Sequence, residues 1–352
     1  MIRPARAFAL ALVAVTVLAS CARVGSSSAA NARPIDLYAA EPTASDVRTI
    51  LGDTTWWPGP PSFGVRPLDS ATMPYQEKFH VVQRFVHIGT AETLDVEMTV
   101  WDSTSSATTQ MTSIQSAFGT SANGPKVGDQ VLYYGSQSSG AAPYQTATFV
   151  RVGQITATIT LANKDGFPNV SLLGKIASRV VGRLNQVLAG KLHATPLAPS
   201  DAGMLPPPGP DMTLLGGARL PIEVVVVMLG FASPDALAGI LKSSGADTVL
   251  FGDYVLDNDT HMEVRAGLLD FSTQQQAGDW IGALRGSATP DANGIASFYD
   301  DPSGQYFTLF TVGTKGAMLV CRSTAAGEAA SRACETPLSR VGPSWQLSLS
   351  GG

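Results

Sequence analysis

The chain lacks the short motifs that mark the common families of enzymes. It contains no Gly-x-Ser-x-Gly elbow, no Ser-x-x-Lys, no His-Glu-x-x-His, no Walker loop and no Gly-x-Gly-x-x-Gly. These absences disfavour the common hydrolases, although a catalytic triad built from distant residues would leave no such motif. The sequence therefore predicts no cofactor and no contiguous catalytic site.

Charge is also scarce. Lys, Arg, Asp and Glu make up only 14% of the chain, the formal net charge is −5, and the basic residues do not cluster. An acidic chain without a basic patch argues against nucleic acid as a partner and against electrostatic binding to membranes. The hydrophobic content of 44% nevertheless supports a packed core, and a length of 352 residues favours two domains.

The N-terminal apolar run is shorter than the roughly 20 residues that a membrane-spanning helix needs. It covers residues 7–18 and follows Arg3 and Arg6, which is the order of regions in a secretory signal peptide. The run ends in a second short pattern, Leu18-Ala19-Ser20-Cys21.

These four residues resemble the bacterial lipobox. The resemblance implies cleavage before Cys21, transfer of diacylglycerol to that cysteine, and a membrane attachment through the lipid. It predicts a signal peptide over 1–20, a Ser- and Ala-rich tether over 21–33, and an extracytoplasmic location on the bacterial cell membrane. A plain signal peptide that is cleaved without lipidation is the alternative.

The chain has only three cysteines. If Cys21 carries lipid, Cys321 and Cys334 remain as a pair, and outside the cytoplasm such a pair is expected to form a disulfide. Closing this loop would stabilise the fold by roughly 3 kcal/mol in the chain-entropy model. A metal site is the alternative, but two thiols with no histidine nearby make a poor one.

Internal similarity at a long period indicates two copies of one unit. Residues 94–100 and 262–268 both alternate apolar and polar side chains, as a strand with one buried face does, and other matches follow in the same order. The pattern predicts an α+β fold of two tandem repeats, each an antiparallel sheet with helices packed on one face. The repeats are expected over 34–190 and 218–352, with a Pro- and Gly-rich linker over 191–217.

Two stretches of the second repeat lead to specific predictions. The run 222–231 is too short to span a bilayer and too apolar to be exposed, so we expect a buried strand, with a helix that docks into a partner as the alternative. Residues 327–335 are expected to form a helix that ends at Pro337, because proline cannot continue the hydrogen-bond ladder.

Two adjacent tryptophans, Trp56 and Trp57, lie beside several prolines in a long connection of the first repeat. Such large side chains are costly to expose, so they either pack over the sheet or contact a ligand or partner. Packing over the sheet is the favoured interpretation. Stacking on a sugar or binding a Pro-rich peptide is the alternative.

The acidic residues Asp257, Asp259 and Glu263 surround His261 at every second position. On an extended strand these side chains would share a face, which is one way to hold a divalent metal. Residues 257–260 are also an ordinary turn composition, and the corresponding place in the first repeat lacks these residues. The turn is the favoured interpretation, and the four residues stay weak metal candidates.

One further pattern concerns location. Residues 126–130, Lys-Val-Gly-Asp-Gln, and residues 149–153, Phe-Val-Arg-Val-Gly, resemble a pattern of bacterial surface lipoproteins of unassigned role. The resemblance implies a location and no activity.

A non-enzymatic binding protein for a small ligand or envelope component is therefore the first functional hypothesis. A structural or protein-docking lipoprotein is the alternative, and an exported hydrolase with a non-contiguous site is third.

Replacing Cys21 with alanine is expected to release the protein from the membrane fraction without changing its fold, because the lipid is attached through the thiol. Cell fractionation and the circular dichroism of the released protein measure the two effects. Ser20→Ala is the matched control, since alanine is also compatible with the lipobox and this variant should stay on the membrane. Retention of Cys21→Ala on the membrane would overturn the lipidation hypothesis.

Overall fold

A computed structural model describes residues 31–59, 61–64, 77–90, 92–137, 144–209, 212–228, 234–256, 259–323 and 327–351. The predicted signal peptide, the lipidation residue Cys21 and all but the last three residues of the predicted tether lie outside the described residues.

The first half of the chain builds one antiparallel sheet with four helices. Its elements, in chain order, are α1 (Pro34–Ala40), α2 (Ala44–Leu51), β1 (Trp56–Pro58), β2 (Ser62–Gly64), β3 (Glu77–His87), β4 (Thr93–Trp101), α3 (Thr104–Phe118), β5 (Gln130–Gln137), β6 (Tyr144–Val152), β7 (Ile155–Asn163) and α4 (Val170–Leu188). The strand order in this first sheet is β1-β3-β4-β7-β6-β5, and β2 also pairs with β3.

The second half builds a similar sheet. Its elements are α5 (Pro199–Ala202), β8 (Met212–Pro221), α6 (Ile222–Met228), α7 (Pro234–Ser243), β9 (Thr248–Leu256), β10 (Asp259–Asp270), α8 (Gln274–Arg285), β11 (Ala296–Asp300), β12 (Gln305–Val312), β13 (Lys315–Ser323) and α9 (Gly327–Ser350). The strand order in this second sheet is β11-β12-β13-β10-β9-β8, and every pairing is antiparallel.

The two sheets repeat the same connectivity. The order β3-β4-β7-β6-β5 in the first sheet corresponds strand for strand to β9-β10-β13-β12-β11 in the second. The helices correspond as well, with α1 and α2 before β3 and with α6 and α7 before β9. The prediction of an α+β fold made of two tandem sheet-based repeats is confirmed.

Helix α4 shows how the sequence builds the first core. Asn169 caps its first turn, since the Asn169 side-chain oxygen accepts from the backbone N–H of Ser171 at 2.7 Å. The buried side chains share one face of the helix and pack on the sheet; they are Leu173, Ile176, Ala177, Val180, Leu184 and Val187. Burying a Leu, Ile or Val contributes about 1.5–3 kcal/mol, so this face holds α4 in place. Helix α3 covers Phe149 and its neighbours on the opposite face of β6.

The apolar run that begins at Ile222 forms a helix, α6, so the predicted buried strand is wrong. Its burial was predicted correctly, because Ile222, Val224, Val225 and Val226 are all buried. Helix α6 packs against α7 and against Val86 of the first half, and this tertiary contact outweighs the β-propensity of valine. Periodicity alone does not separate a short buried helix from a short buried strand.

The last helix continues to Ser350 through Pro337 and Pro343, so the predicted end at Pro337 is also wrong. Packing accounts for the extension. The ring of Trp345 is fully buried, its edge meets Phe310 at a centroid distance of 5.4 Å, and its indole N–H donates to the Met204 carbonyl oxygen at 2.9 Å. Burial of this residue outweighs the hydrogen bonds that the prolines remove.

The predicted disulfide is present. Cys321 on β13 and Cys334 on α9 are bonded, with their Cα atoms 5.7 Å apart, and both are buried. The bond ties the long C-terminal helix to the sheet beneath it.

The stretch predicted as a linker, 191–217, contains α5 and the first part of β8. Two of its four glycines, Gly216 and Gly217, lie where a side chain would collide with neighbouring atoms. A Cβ at Gly216 would lie 2.5 Å from the Tyr38 ring, and one at Gly217 would lie 2.4 Å from the carbonyl oxygen of Phe251. Strand β8 therefore lies closely against both α1 and β9.

The two halves meet on one face of the second sheet. Tyr254 and Val264 point toward α9, and the alternate residues Asp253, Glu263 and Arg265 point toward the first half. We call Asp253, Glu263, Arg265 and Arg322 the junction cluster. An apolar contact beside it joins Trp57 and Val86 of the first half to α6.

Glu263 is the centre of the junction cluster and is only 3% exposed. Its Oε1 accepts from the Phe63 backbone N–H at 2.9 Å, the Ser62 hydroxyl at 3.0 Å and the Arg265 Nε at 3.0 Å. Its Oε2 accepts from the Arg322 guanidinium, with Nε at 2.8 Å. Burial raises the pKa of Glu263, but the two arginines and the hydrogen bonds outweigh burial and hold that pKa below its ordinary value.

Replacing Glu263 with glutamine is expected to lower the free energy of unfolding by about 3–5 kcal/mol, because Arg265 and Arg322 lose the charge that compensates them. Chemical denaturation at pH 7 measures the change. Asp270→Asn is the matched control on the same strand, since that carboxylate is largely exposed and its loss should cost well under about 1 kcal/mol. A Glu263→Gln variant as stable as the wild type would contradict the assigned role. Because the pKa of Glu263 is lowered, its contribution is lost as the pH falls through that pKa.

Candidate functional site

A cavity of about 200 Å³ opens where α1 turns into α2. Its walls come from the end of α1 and the start of α2, from Pro58 of β1, Gln83 of β3 and Arg183 of α4, and from the backbone segment 194–195. Five elements of the first half and the segment that follows α4 therefore meet at this cavity.

Glu41 lies in the tight turn between α1 and α2, and the local sequence fixes where that turn falls. Helix α1 ends at Ala40, and the backbone N–H of Glu41 donates to the carbonyl oxygen of Tyr38 at 3.2 Å. Two residues later Thr43 caps α2, with its hydroxyl accepting from the Asp46 N–H at 3.1 Å and Asp46 accepting from the Thr43 N–H at 3.0 Å. The tight corner between two packed helices directs the Glu41 side chain inward.

The carboxyl group of Glu41 is buried without a partner. The residue is 3% exposed, and neither Oε1 nor Oε2 has a hydrogen-bond partner among the described residues. Burial raises the pKa of Glu41 well above its ordinary value; attraction to Arg183 opposes the rise and repulsion from Glu97 adds to it. Glu41 is therefore a neutral carboxylic acid over a wider pH range than an exposed glutamate.

Arg183 forms the opposite wall. Its Nη2 donates to the carbonyl oxygen of Ala39 at 2.8 Å, and its Nη1 lies 3.9 Å from Asp46 Oδ2. The Nε–H is buried and has no acceptor in the part of the chain that the structure describes. Asp46 is bound more closely by Arg179, at 2.7 Å, so the charge of Arg183 is only partly compensated.

Tyr38 connects the cavity to the second half. Its ring lies against Gly216 of β8, and it is part of the cavity wall. Burial raises the pKa of Tyr38, and the carboxyl groups of Glu41 and Asp253 add to the shift. The phenol therefore stays protonated and keeps an O–H donor at the junction.

A second cavity, of about 380 Å³, lies between the halves. The two cavities share Ala194 and Thr195 as wall residues. The second cavity is lined mainly by apolar residues of α1, of segment 194–197 and of β8, among them Ile35, Leu197 and Leu214. At one end it is closed by Arg33 and Asp36, whose side chains form an ion pair at 3.1 Å.

The tryptophan pair lies in β1, an edge strand of the first sheet. Trp56 is buried with its ring edge toward His87, at a centroid distance of 5.3 Å. Trp57 is half-buried against α6, and the Arg48 guanidinium lies 5.0 Å from its ring centroid. Within the described residues, the walls of both cavities include neither indole. Ligand contact by this pair stays a prediction.

Of the four weak metal candidates, the structure describes the side chain of Glu263 alone. Glu263 is held by two arginines in the junction cluster, and the strand pairing shifts register between Asp259 and Glu263. Asp257 and the side chains of Asp259 and His261 lie outside the described residues. In the parts of the chain that the structure covers, no three His, Cys, Asp or Glu side chains lie close enough together to hold a metal.

The two segments that resemble surface lipoproteins have a structural role here. Asp129 Oδ2 accepts from the Gly153 N–H at 2.7 Å and from Arg151 Nη1 at 3.2 Å. Gly128 has a φ of +65°, and a Cβ there would lie 2.6 Å from the Arg151 carbonyl oxygen. These contacts fasten the start of β5 to the β6–β7 hairpin, at a distance from the cavities.

Comparisons with known proteins place few limits on the chain. No protein-family model matches it, and no curated protein matches it. Among solved structures it is similar to the extracellular domain of PknH from Mycobacterium tuberculosis, with 12% identity and a TM-score of 0.35. That similarity covers 44% of this chain and 97% of the PknH domain. Within the described residues, no helix combines the length and the hydropathy that a membrane span requires.

Sequence reasoning missed both Glu41 and Arg183. Glu41 is a single acidic residue between two short helices whose other inward residues are apolar, such as Leu37 and Val47. Arg183 directly precedes Leu184 on the buried stripe of α4. A charged residue next to a buried stripe is a usable signal, but the sequence alone does not show that the two meet.

Replacing Glu41 with glutamine is expected to make stability less dependent on pH. The pKa of Glu41 is raised in the folded protein, so wild-type stability is highest below the ordinary pKa and falls as the pH rises toward the folded value. The fall is about 1.4 kcal/mol for each pH unit between the two pKa values, and glutamine removes it.

Urea unfolding of both proteins at pH 4.5, 6 and 7.5 measures this difference. The stability of Glu41→Gln relative to the wild type should increase with pH. Glu335→Gln is the matched control, because Glu335 is exposed to solvent on α9. A constant difference between Glu41→Gln and the wild type across this range would show that Glu41 is not held in its neutral form.

Proposed function

We propose that this protein is a lipid-anchored extracytoplasmic binding protein that holds a small ligand in the cavity beside Glu41. One observation carries the proposal, namely that Glu41 belongs to the wall of a cavity while both oxygens of its buried carboxyl group lack a hydrogen-bond partner among the described residues. Burying such a group without hydrogen bonds costs about 1–3 kcal/mol, so a bound molecule that supplies the missing partners recovers that free energy.

The contrast with Asp253 supports a functional interpretation of Glu41. Asp253 is also fully buried and its pKa is also raised by burial, but it lies in the junction cluster beside Glu263 and Arg265. The free-energy cost of burying Asp253 is therefore part of the cost of the junction cluster, which holds the two halves together. Glu41 has a cavity in front of it instead, and unusual protonation next to a cavity is typical of binding and catalytic sites.

The location in the envelope rests on separate observations. The lipobox-like residues before Cys21 and the disulfide between Cys321 and Cys334 both favour the oxidising side of a membrane. A protein tethered there by residues 21–33 would present its cavity to molecules of the envelope. We therefore propose a ligand that is small and polar, either free or as the end of an envelope component.

Thermal-shift measurements with wild type, Glu41→Leu and Asp253→Asn test the site. The panel contains short carboxylates, amines, sugars, peptidoglycan fragments and divalent metals. At least one class should raise the Tm of the wild type by a few degrees, and it should raise the Tm of Asp253→Asn equally.

Glu41→Leu should lose that ligand-dependent shift while melting above the wild type in the absence of ligand, because leucine removes the unpartnered carboxyl group. The Asp253→Asn variant controls for the loss of a buried carboxyl group that lines neither cavity. A panel that leaves the wild-type Tm unchanged, or an equal shift in Glu41→Leu, would refute the proposal.

A further inference from the structure

The chemistry of the cavity walls indicates which ligand class it takes, given that the proposed site is correct. The Nε–H of Arg183 needs an acceptor, and none of the described residues supplies one. A neutral Glu41 carries an O–H donor that also needs an acceptor. A ligand that presents two acceptor oxygens, and no donor, would complete both groups at once.

The charges around the cavity favour an anion over a cation. The ionisable groups that act electrostatically on Tyr38, Glu41 or Arg183 are Asp46 of α2, Arg179 of α4, Glu97 of β4 and Asp253 of β9, besides these three residues themselves. Arg33, Asp36 and His193 line the adjoining cavity. Asp46 and Arg179 pair with each other, which leaves Arg183 with the nearest poorly compensated charge on the cavity wall. An ammonium group would have to enter beside that guanidinium, against Coulomb repulsion at low dielectric.

The second cavity indicates what is attached to the anion. It adjoins the first at Ala194 and Thr195, and its walls are mainly apolar. A chain of methylenes placed there would leave water for an apolar surface, which is favourable.

We propose that the cavity binds an organic carboxylate, with its two oxygens between Arg183 and Glu41 and its alkyl part along segment 194–197 in the cavity between the halves. The Nε atom of Arg183 and both carboxyl oxygens of Glu41 are covered by surrounding atoms, so binding turns the two side chains toward the ligand. Arg183 then binds one oxygen through Nε, and the acid proton of Glu41 binds the other. Neither contact requires a metal or a covalent step.

Isothermal titration at pH 6 with acetate, butyrate and hexanoate tests this assignment, with butylamine, hexylamine and hexanol as probes of the other classes. Affinity should rise about fourfold for each added methylene, and the amines and hexanol should bind at least tenfold more weakly than hexanoate. The affinity of the wild type for hexanoate should fall as the pH rises, because ionised Glu41 repels the ligand.

Two variants separate the roles of the wall residues. Glu41→Gln should keep affinity for hexanoate within about threefold and lose the pH dependence, since its amide N–H₂ replaces the acid O–H as donor. Arg183→Met should lose binding by at least tenfold, and circular dichroism and its Tm show whether it is folded. If it is not folded, the pH dependence and the Glu41→Gln result decide the assignment alone.

The outcomes distinguish this inference from the proposed function. Preferential binding of the amines, abolished in Glu41→Gln, would mean that Glu41 acts as an anion, so the carboxylate assignment would fail while the site remained. Equal binding of hexanol and hexanoate would also refute it. Absence of binding by all six probes refutes the carboxylate assignment, and the wider panel with Glu41→Leu then decides whether the site binds anything.

Discussion

The arrangement of the two halves depends on where one buried carboxylate, that of Glu263, finds its hydrogen-bond donors. Two of them, the Ser62 hydroxyl and the Phe63 N–H, come from the first half, and two arginines come from the second sheet. An ionised carboxylate in the interior needs all of these contacts, so it fixes β2 against β9 and β10. That contact places α1 over β8 and so creates the cavity between the halves.

Two buried acids of this molecule thus have opposite relations to stability. Glu263 is fully paired, and its removal takes the nearest counter-charge from the partly buried Arg265 and from Arg322, whose side chain is 44% exposed. Glu41 is unpaired and its removal relieves a cost. A buried acid that lowers stability, as Glu41 does, is expected to be retained for a function rather than for folding. At such a residue a gain in stability comes with a loss of function. The ligand proposed for the cavity that Glu41 lines would give this residue such a task.

The fold was predictable where a local pattern decides the structure. The alternation of Leu94, Val96 and Met98 predicted β4, and the duplication predicted its counterpart β10. Local rules failed at α6 and α9, where burial against distant elements outweighs the preferences of valine and proline. The candidate site was not predictable, because Glu41 and Arg183 are 142 positions apart and only the completed fold brings them together. The tryptophan pair and the acidic group around His261 could be recognised in the sequence, because the residues of each group are close neighbours along the chain.

The duplication has one consequence for the origin of the junction. In the first sheet, the cross-strand pair Arg84 and Asp95 is accessible to solvent, as charges on an outer sheet face usually are. The equivalent face of the second sheet carries Asp253 and Glu263, which are buried. An ancestral single unit with a charged, wetted outer face would therefore have placed ionic groups in the contact when two copies first associated. The ionic groups of the junction cluster are then an inheritance from a water-facing surface, which β2 of the first half now covers.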